Sequence, residues 1–354
     1  MAKKLKKIFN TAGPVKEIHY QLPPLSRWDL EDILELIEYQ KSFVLHAPRQ
    51  SGKTSCMLAL QEYLNERDDY IAIYVNVECA QVARNDIYEG MKAILAELGS
   101  ETAEVFEDFS IRKKLLVILE EVGSGNALLA ALNFLSKESD RPIVLLIDEI
   151  DSLIGDTLVS VLRQLRTGYK KRPTNFPQSI ILCGLVDIKD YKIHKADGEI
   201  ITGGSCFNIK SKSLSLGNFT KEEIKKLYLE HTKDTGQVFE DKIFDLVWEY
   251  TGGQPWLVNA LAYEACFEMK ENRDRSIEIT PQIFEEAKER LILSRATHLD
   301  QLADKLKETR VRKVIEPMLV GKTSISTEED RTYCLDLGLI KKQNRGSLYL
   351  TQYT

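Results

Sequence analysis

Ala47-Pro48-Arg49-Gln50-Ser51-Gly52-Lys53-Thr54 decides the fold of this 354-residue chain. The stretch follows a short apolar run, Ser42-Phe43-Val44-Leu45-His46, that reads as a buried strand. It precedes Ser55-Cys56-Met57-Leu58-Ala59-Leu60, which reads as the start of a helix. Strand, loop and helix in that order aim backbone N–H groups and a helix N-terminus at one anion. In such a loop the Lys53 ammonium reaches the β- and γ-phosphates of a nucleotide, and the Thr54 hydroxyl sits on Mg2+. The usual pattern opens on Gly where this chain has Ala47, but Gly52, Lys53 and Thr54, which carry the chemistry, are present. Ala47 to Ser55 is therefore the expected phosphate-binding segment.

Further along, Arg141-Pro142 punctuates the chain, and Ile143-Val144-Leu145-Leu146-Ile147 runs straight into Asp148-Glu149-Ile150-Asp151. Five aliphatic residues without alternation indicate a strand covered on both faces, as in a parallel sheet. Acids at the carboxyl end of such a strand stand where open α/β folds bind ligands. Asp148 is expected to hold Mg2+ through water, and Glu149 to polarise the water that attacks the γ-phosphate. Glu149 and Lys53 are thus the expected catalytic pair. Asp151 either orients the site or caps the next helix.

Other strands read at Tyr70–Asn76, Ser179–Gly184 and Cys206–Ile209. Residues 84–138 have a helical pattern, with breaks expected at Gly99-Ser100 and at Gly123-Ser124-Gly125, and 156–170 form another helix. Before the first strand, Ser26 or Asp29 caps a helix running to about Tyr39, with Leu30, Ile33, Leu34 and Ile37 as its apolar stripe. Strands alternating with helices imply a three-layer α/β domain with a mostly parallel sheet.

From Asn218 the character changes. Thr220 and Glu223 form a capping-box signature, and helices follow at 221–233, 240–251, 255–270 and 281–294. In Thr251-Gly252-Gly253-Gln254-Pro255, Gly ends one helix and Pro opens the next. After about residue 300 come a helix stopped near Pro317, a second from Glu328 to Leu337, and Leu339–Lys342 with Leu348–Leu350 flanking a turn at Gln343-Asn344-Arg345-Gly346-Ser347. Helices followed by a β-ribbon suggest a winged helix-turn-helix. The boundaries expected are an N-terminal segment 1–41, a core 42–217, a helical lid 218–298 and a winged-helix-like domain 299–354.

Composition narrows the function classes. Hydrophobic and charged fractions of 43% and 29% are those of an ordinary soluble protein, and no apolar run is long enough to span a bilayer. The basic N-terminus lacks the apolar stretch of a signal peptide. Six scattered cysteines with no Cys-x-x-Cys fit a reducing cytoplasm. A net charge of −6 argues against an electrostatic nucleic-acid binder. In 300–354, ten Lys/Arg against eight Asp/Glu leave only about +2, weak for tracking phosphates.

Four segments together resemble the prokaryotic AAA-like P-loop ATPases, near the signal-transducing and archaeal-type ATPases. They are Ala47–Thr54, Leu145–Asp151, Phe207-Asn208-Ile209, and Thr251-Gly252-Gly253-Gln254-Pro255-Trp256-Leu257-Val258-Asn259-Ala260. The resemblance implies a three-layer αβα P-loop NTPase core with sheet order 5-1-4-3-2, a helical lid and a C-terminal winged helix. It implies ATP and Mg2+ as ligands, and Gly253-Gln254-Pro255 resembles a Gly-x-Pro motif that meets the nucleotide base. Gln254 and Pro255 are therefore expected at the nucleotide, with simple helix punctuation as the plain alternative. Ser26-Arg27-Trp28-Asp29-Leu30 loosely matches an N-terminal nucleotide-contacting arginine segment. Cys183-Gly184 stands where many such proteins place a polar sensor. No arginine finger is evident; Arg163, Arg166, Arg172 and Lys210 are candidates, against a solvated helix face for the first two. Relatives often continue past the wing into a further, sometimes nuclease-like domain.

The expected activity is an ATP-hydrolysing conformational switch with a protein partner or self-association. The alternatives are an ATP-gated DNA-binding regulator acting through 299–354, the ATPase partner of a nuclease-like effector, or an inert nucleotide-binding scaffold. The Asp148-Glu149 pair argues against the last. The absence of an Asn-Lys-x-Asp motif, which reads guanine, favours ATP over GTP.

Overall fold

A computed structural model of the chain describes residues 6–185, 193–194, 200–201, 212–294, 304–321, 326–342 and 348–350. The chain divides into two units. One comprises Trp28–Ala47 and Cys56–Leu216; the other comprises Met1–Arg27, Pro48–Ser55 and Gly217–Thr354.

The first unit is α/β. Its sheet is built from β1 (Phe43–His46), β2 (Ile71–Asn76), β3 (Ile143–Asp148), β4 (Ser179–Gly184) and β5 (Lys212–Ser215), in the spatial order β5-β1-β4-β3-β2. Every neighbouring pair is parallel. The register sets His46 opposite Gly184, Ile147 opposite Leu182 and Asp148 opposite Asn76, so the carboxyl ends of β1, β3 and β4 share one edge. Central strands are buried at both parities: Val44 joins the main core, while Phe43 and Leu45 are equally inaccessible. The edge strand β5 lies where the expected strand 206–209 was to close the sheet; 206–209 themselves lie outside the described residues, as does Lys210.

Helices α1 (Leu30–Glu38), α2 (Lys53–Asn65), α3 (Ile87–Val105), α4 (Ile111–Val122), α5 (Ala127–Glu138) and α6 (Gly155–Gly168) connect and cover the strands. α1 starts because the Asp29 carboxylate accepts from Asp32 N at 3.1 Å, and it buries Ile33 and Ile37. The break expected at Gly99-Ser100 is absent: α3 runs straight through. A Cβ at Gly99 would stand 2.7 Å from the Arg112 Cα, so glycine there lets α4 approach closely rather than ending the helix. Leu95, Leu115, Leu132 and Leu162, from α3 to α6, share one core with Ile73, Leu145 and Leu182 of the strands.

The second unit is mainly helical, with α7 (Lys221–Thr235), α8 (Lys242–Thr251), α9 (Pro255–Tyr263) and α10 (Pro281–Leu293). The capping box is formed: Thr220 Oγ1 accepts from Glu223 N at 3.1 Å and Glu223 Oε2 accepts from Thr220 N at 2.7 Å. Two short N-terminal strands, Ile8–Phe9 and His19–Tyr20, pair in parallel and belong to this unit. They bury Phe9 and Tyr20 among Tyr228, His231, Phe239 and Phe284.

Nearer the C-terminus, α11 (Thr309–Leu319) buries Val311, Val314 and Ile315. It ends two residues past Pro317, in keeping with the stop expected near that proline, which cannot donate a helical hydrogen bond. α12 (Glu328–Asp336) is capped by Thr327, whose hydroxyl accepts from Asp330 N at 3.1 Å, and Gly338 (φ +76°) follows its end. Ile340–Lys342 and Leu348–Leu350 pair antiparallel, while the turn expected at 343–347 lies outside the described residues. Among the described residues no helix is long and apolar enough to cross a membrane.

Candidate nucleotide-binding site

The expected site residues fall on the two units, and each set has its own geometry. The loop comes first. Ala47 leaves β1 with its N–H on Gly184 O at 3.3 Å, and α2 begins at Lys53. Between them Gln50 (φ +56°) and Gly52 (φ +93°) take left-handed backbone on either side of Ser51. Such reversals gather successive N–H groups into an anion-binding concavity. Glycine suits position 52 because its backbone, at φ +93°, is one that residues with a side chain rarely adopt. The Lys53 ammonium is buried and donates to Pro48 O at 3.1 Å. Ser51 Oγ is buried and has no hydrogen-bond partner among the described residues. Thr54 is half-buried in the first turn of α2, and Ser55 Oγ accepts from Val15 N at 3.0 Å. A buried cation beside an orphaned hydroxyl, at a helix N-terminus, fits a bound phosphate chain with its metal.

Two side chains from distant sequence hold the back of this loop. Gln254 is 2% exposed and is the N-cap of α9: its Oε1 accepts from Leu257 N at 2.6 Å. Its Nε2 faces Arg49 O at 3.3 Å and Gln50 O at 3.4 Å. Pro255, expected at the nucleotide with it, is the buried first residue of α9. The Arg27 guanidinium donates to Ser51 O and Gly217 O and lies 4.7 Å from the centre of the Phe219 ring. The arginine is thus bound to loop backbone, a role its loose sequence match did not indicate.

On the α/β unit, β3 delivers Asp148 to its carboxyl end, wholly buried. One carboxylate oxygen accepts from Glu149 N at 2.9 Å, and the other accepts from the Tyr74 hydroxyl at 2.9 Å. Burial, then the Asp148 charge, push the Tyr74 hydroxyl far above its ordinary pKa, so it stays a donor. Sequence reading missed Tyr74; its one signal is a phenol inside the otherwise aliphatic run Ile71–Val75. Glu149 takes left-handed backbone (φ +56°), uncommon for a residue with a side chain and found at functional turns. Asp151 does not cap the next helix: α6 has no side-chain cap, and Asp151 Oδ1 instead accepts from Leu185 N, just past β4, at 3.0 Å.

The finger candidates separate. Arg163 and Arg166 lie on the exposed face of α6. Arg172 is engaged elsewhere: its guanidinium donates to Gln40 O at 2.7 Å and to Ser42 Oγ, and stacks 4.2 Å over Tyr169. Burial lowers its pKa to about 10. It ties the end of α1 to the amino end of β1, opposite the edge that carries Asp148. Cys183 and Gly184 are buried within β4, so the strand ends without a polar side chain.

A family model described as an AAA-like domain matches residues 31–352. No curated protein matches the sequence. Among solved structures, the Walker-type ATPase PABY2304 of Pyrococcus abyssi is similar at a TM-score of 0.57 and 16% identity, over 93% of this chain and 92% of that one. Cdc6p from Pyrobaculum aerophilum is similar at a TM-score of 0.50 and 16% identity, over 94% and 90%. With a parallel sheet, a phosphate-type loop at the head of α2 and acids ending β3, the chain belongs to the AAA-like family of P-loop ATPases.

Proposed function

We propose that the chain binds ATP with Mg2+, hydrolyses it, and uses the cycle as a conformational switch. The carrying observation is the loop Ala47–Ser55, with its reversed backbone, buried Lys53 ammonium and orphaned Ser51 hydroxyl. The loop N–H groups and Lys53 take the β- and γ-phosphates. Thr54 and Asp148 would hold Mg2+, which supplies charge neutralisation at the phosphates. Glu149 orients and deprotonates the attacking water, while Tyr74 fixes the Asp148 carboxylate. The domain reading is a core 42–217, a lid 218–298 and a winged-helix-like segment 299–354. Net charge near +2 on that last segment favours a protein partner over DNA.

The test measures ATP retention and turnover over a range of protein concentrations for the parent, Lys53→Ala and Glu149→Gln. Lys53→Ala loses ATP, whereas Glu149→Gln keeps it and slows turnover by about 100-fold or more. A specific rate that climbs with concentration identifies an arginine supplied by a second copy. Full ATP affinity in Lys53→Ala, or undiminished turnover in Glu149→Gln, overturns the assignment.

A further inference from the structure

We infer that Gln254 is a positioning residue that sets the direction of the loop's amide groups, with Arg27 as its counterpart, so that the first turn of α9 governs phosphate affinity. The inference rests on the loop reading above and concerns only the unit that contains both Gln254 and the loop. A carbonyl and the following N–H belong to one planar trans peptide and point in opposite directions. Arg49 O, Gln50 O and Ser51 O are consecutive, and each meets a side-chain donor: Gln254 Nε2 for the first two and Arg27 Nη1 for the third. Holding those three carbonyls outward turns the N–H groups of Gln50, Ser51 and Gly52 inward, where an anion is cradled.

The orientation of the Gln254 amide is not arbitrary. Its oxygen is committed to Leu257 N at 2.6 Å, which leaves the NH2 group as the end that faces the loop. One side chain therefore caps a lid helix and braces the loop. If α9 shifts, the Arg49 and Gln50 peptides lose their brace and the amide array loosens. By linkage, phosphate binding then favours the braced position of α9. This differs from a contact between this motif and the nucleotide base, and the two readings separate cleanly.

Gln254→Glu keeps shape and cap acceptor but sets a carboxylate oxygen against two carbonyls. Gln254→Ser keeps an N-cap and is too short to reach the loop. Affinities are measured for ATP and for inorganic pyrophosphate, which carries no base, alongside the melting temperature of the unliganded protein. Both variants fold, and both lose about tenfold or more in affinity for ATP and for pyrophosphate alike. Loss toward ATP with pyrophosphate unchanged assigns Gln254 to the base and overturns the inference. Unchanged affinity for both ligands in the two variants overturns it too. A parent protein that retains neither ligand removes the loop reading itself.

Discussion

Gly252 and Gly253 both take left-handed backbone, at φ +53° and +76°, yet replacing them by alanine will have very different costs. A Cβ on Gly253 would stand 2.0 Å from Phe219 O and 2.9 Å from Trp248 Cζ3. The first of these atoms is backbone, and it is held close because Phe219 N donates to Gly253 O at 2.8 Å. Relieving the overlap means moving two chain segments apart by roughly 1 Å, which breaks that bond and disturbs a buried contact. Left-handed backbone costs alanine about 1–2 kcal/mol, the lost hydrogen bond about 1 and the overpacking about 1–3, so Gly253→Ala should cost about 3–6 kcal/mol. On Gly252 the added Cβ meets Lys341 Nζ at 2.7 Å, the end of a flexible side chain that can swing away. Gly252→Ala should therefore cost only about 1–2 kcal/mol. Urea unfolding read by tryptophan fluorescence measures both, because Trp248 and Trp256 lie in the helical unit. Domains hold only about 5–15 kcal/mol in reserve, so Gly253→Ala should shift the midpoint severely. If the two variants agree within about 1 kcal/mol, the close approach of Phe219 to Gly253 is not what fixes this turn.

Tyr74→Phe removes the hydroxyl that donates to Asp148 at 2.9 Å, and it should cost the α/β unit about 1.5–3 kcal/mol in denaturant unfolding; a neutral effect would show that the carboxylate is held by other donors. His231 is buried, and burial, opposed by its Gln237 partner and aided by Arg275, lowers its pKa to about 4 from 6.5. The unfolded chain takes the proton first, so this contribution is whole above pH 6.5 and drains away between 6.5 and 4, by about 3 kcal/mol. His231→Phe should flatten that part of the stability-against-pH curve, and an unchanged slope would assign the acid loss elsewhere.

What the sequence made legible follows from the range of each interaction. The phosphate-type loop and the Asp148-Glu149 pair are short segments whose neighbours along the chain, a strand and a turn, give them their role. The capping box at Thr220 and the Gly–Pro punctuation at 252–255 are likewise settled within one turn. Tyr74, Arg27 and the bracing role of Gln254 depend on partners 24 to 205 residues away, and no local pattern encodes them. Gly99 misled for a related reason: propensity marks it as a break, but the near approach of Arg112 makes it a packing position inside a continuous helix. Arg172 was a finger candidate in sequence, whereas folding leaves it half-buried with its guanidinium donating to Gln40 O.

The parallel ribbon of Ile8–Phe9 and His19–Tyr20 also has a consequence for synthesis. Its anchors come late: Asn10 N bonds Asn259 Oδ1 across 249 residues, and the Tyr20 hydroxyl bonds Asp234 across 214. At about 5–20 residues per second, the ribosome needs on the order of ten to fifty seconds to make that intervening chain. During that interval Phe9 and Tyr20 have each other but lack Tyr228 and His231, the rings they pack against later. The nascent protein thus carries this ring pair without its helical partners, and the phosphate loop waits for its brace, until Gln254 has left the exit tunnel.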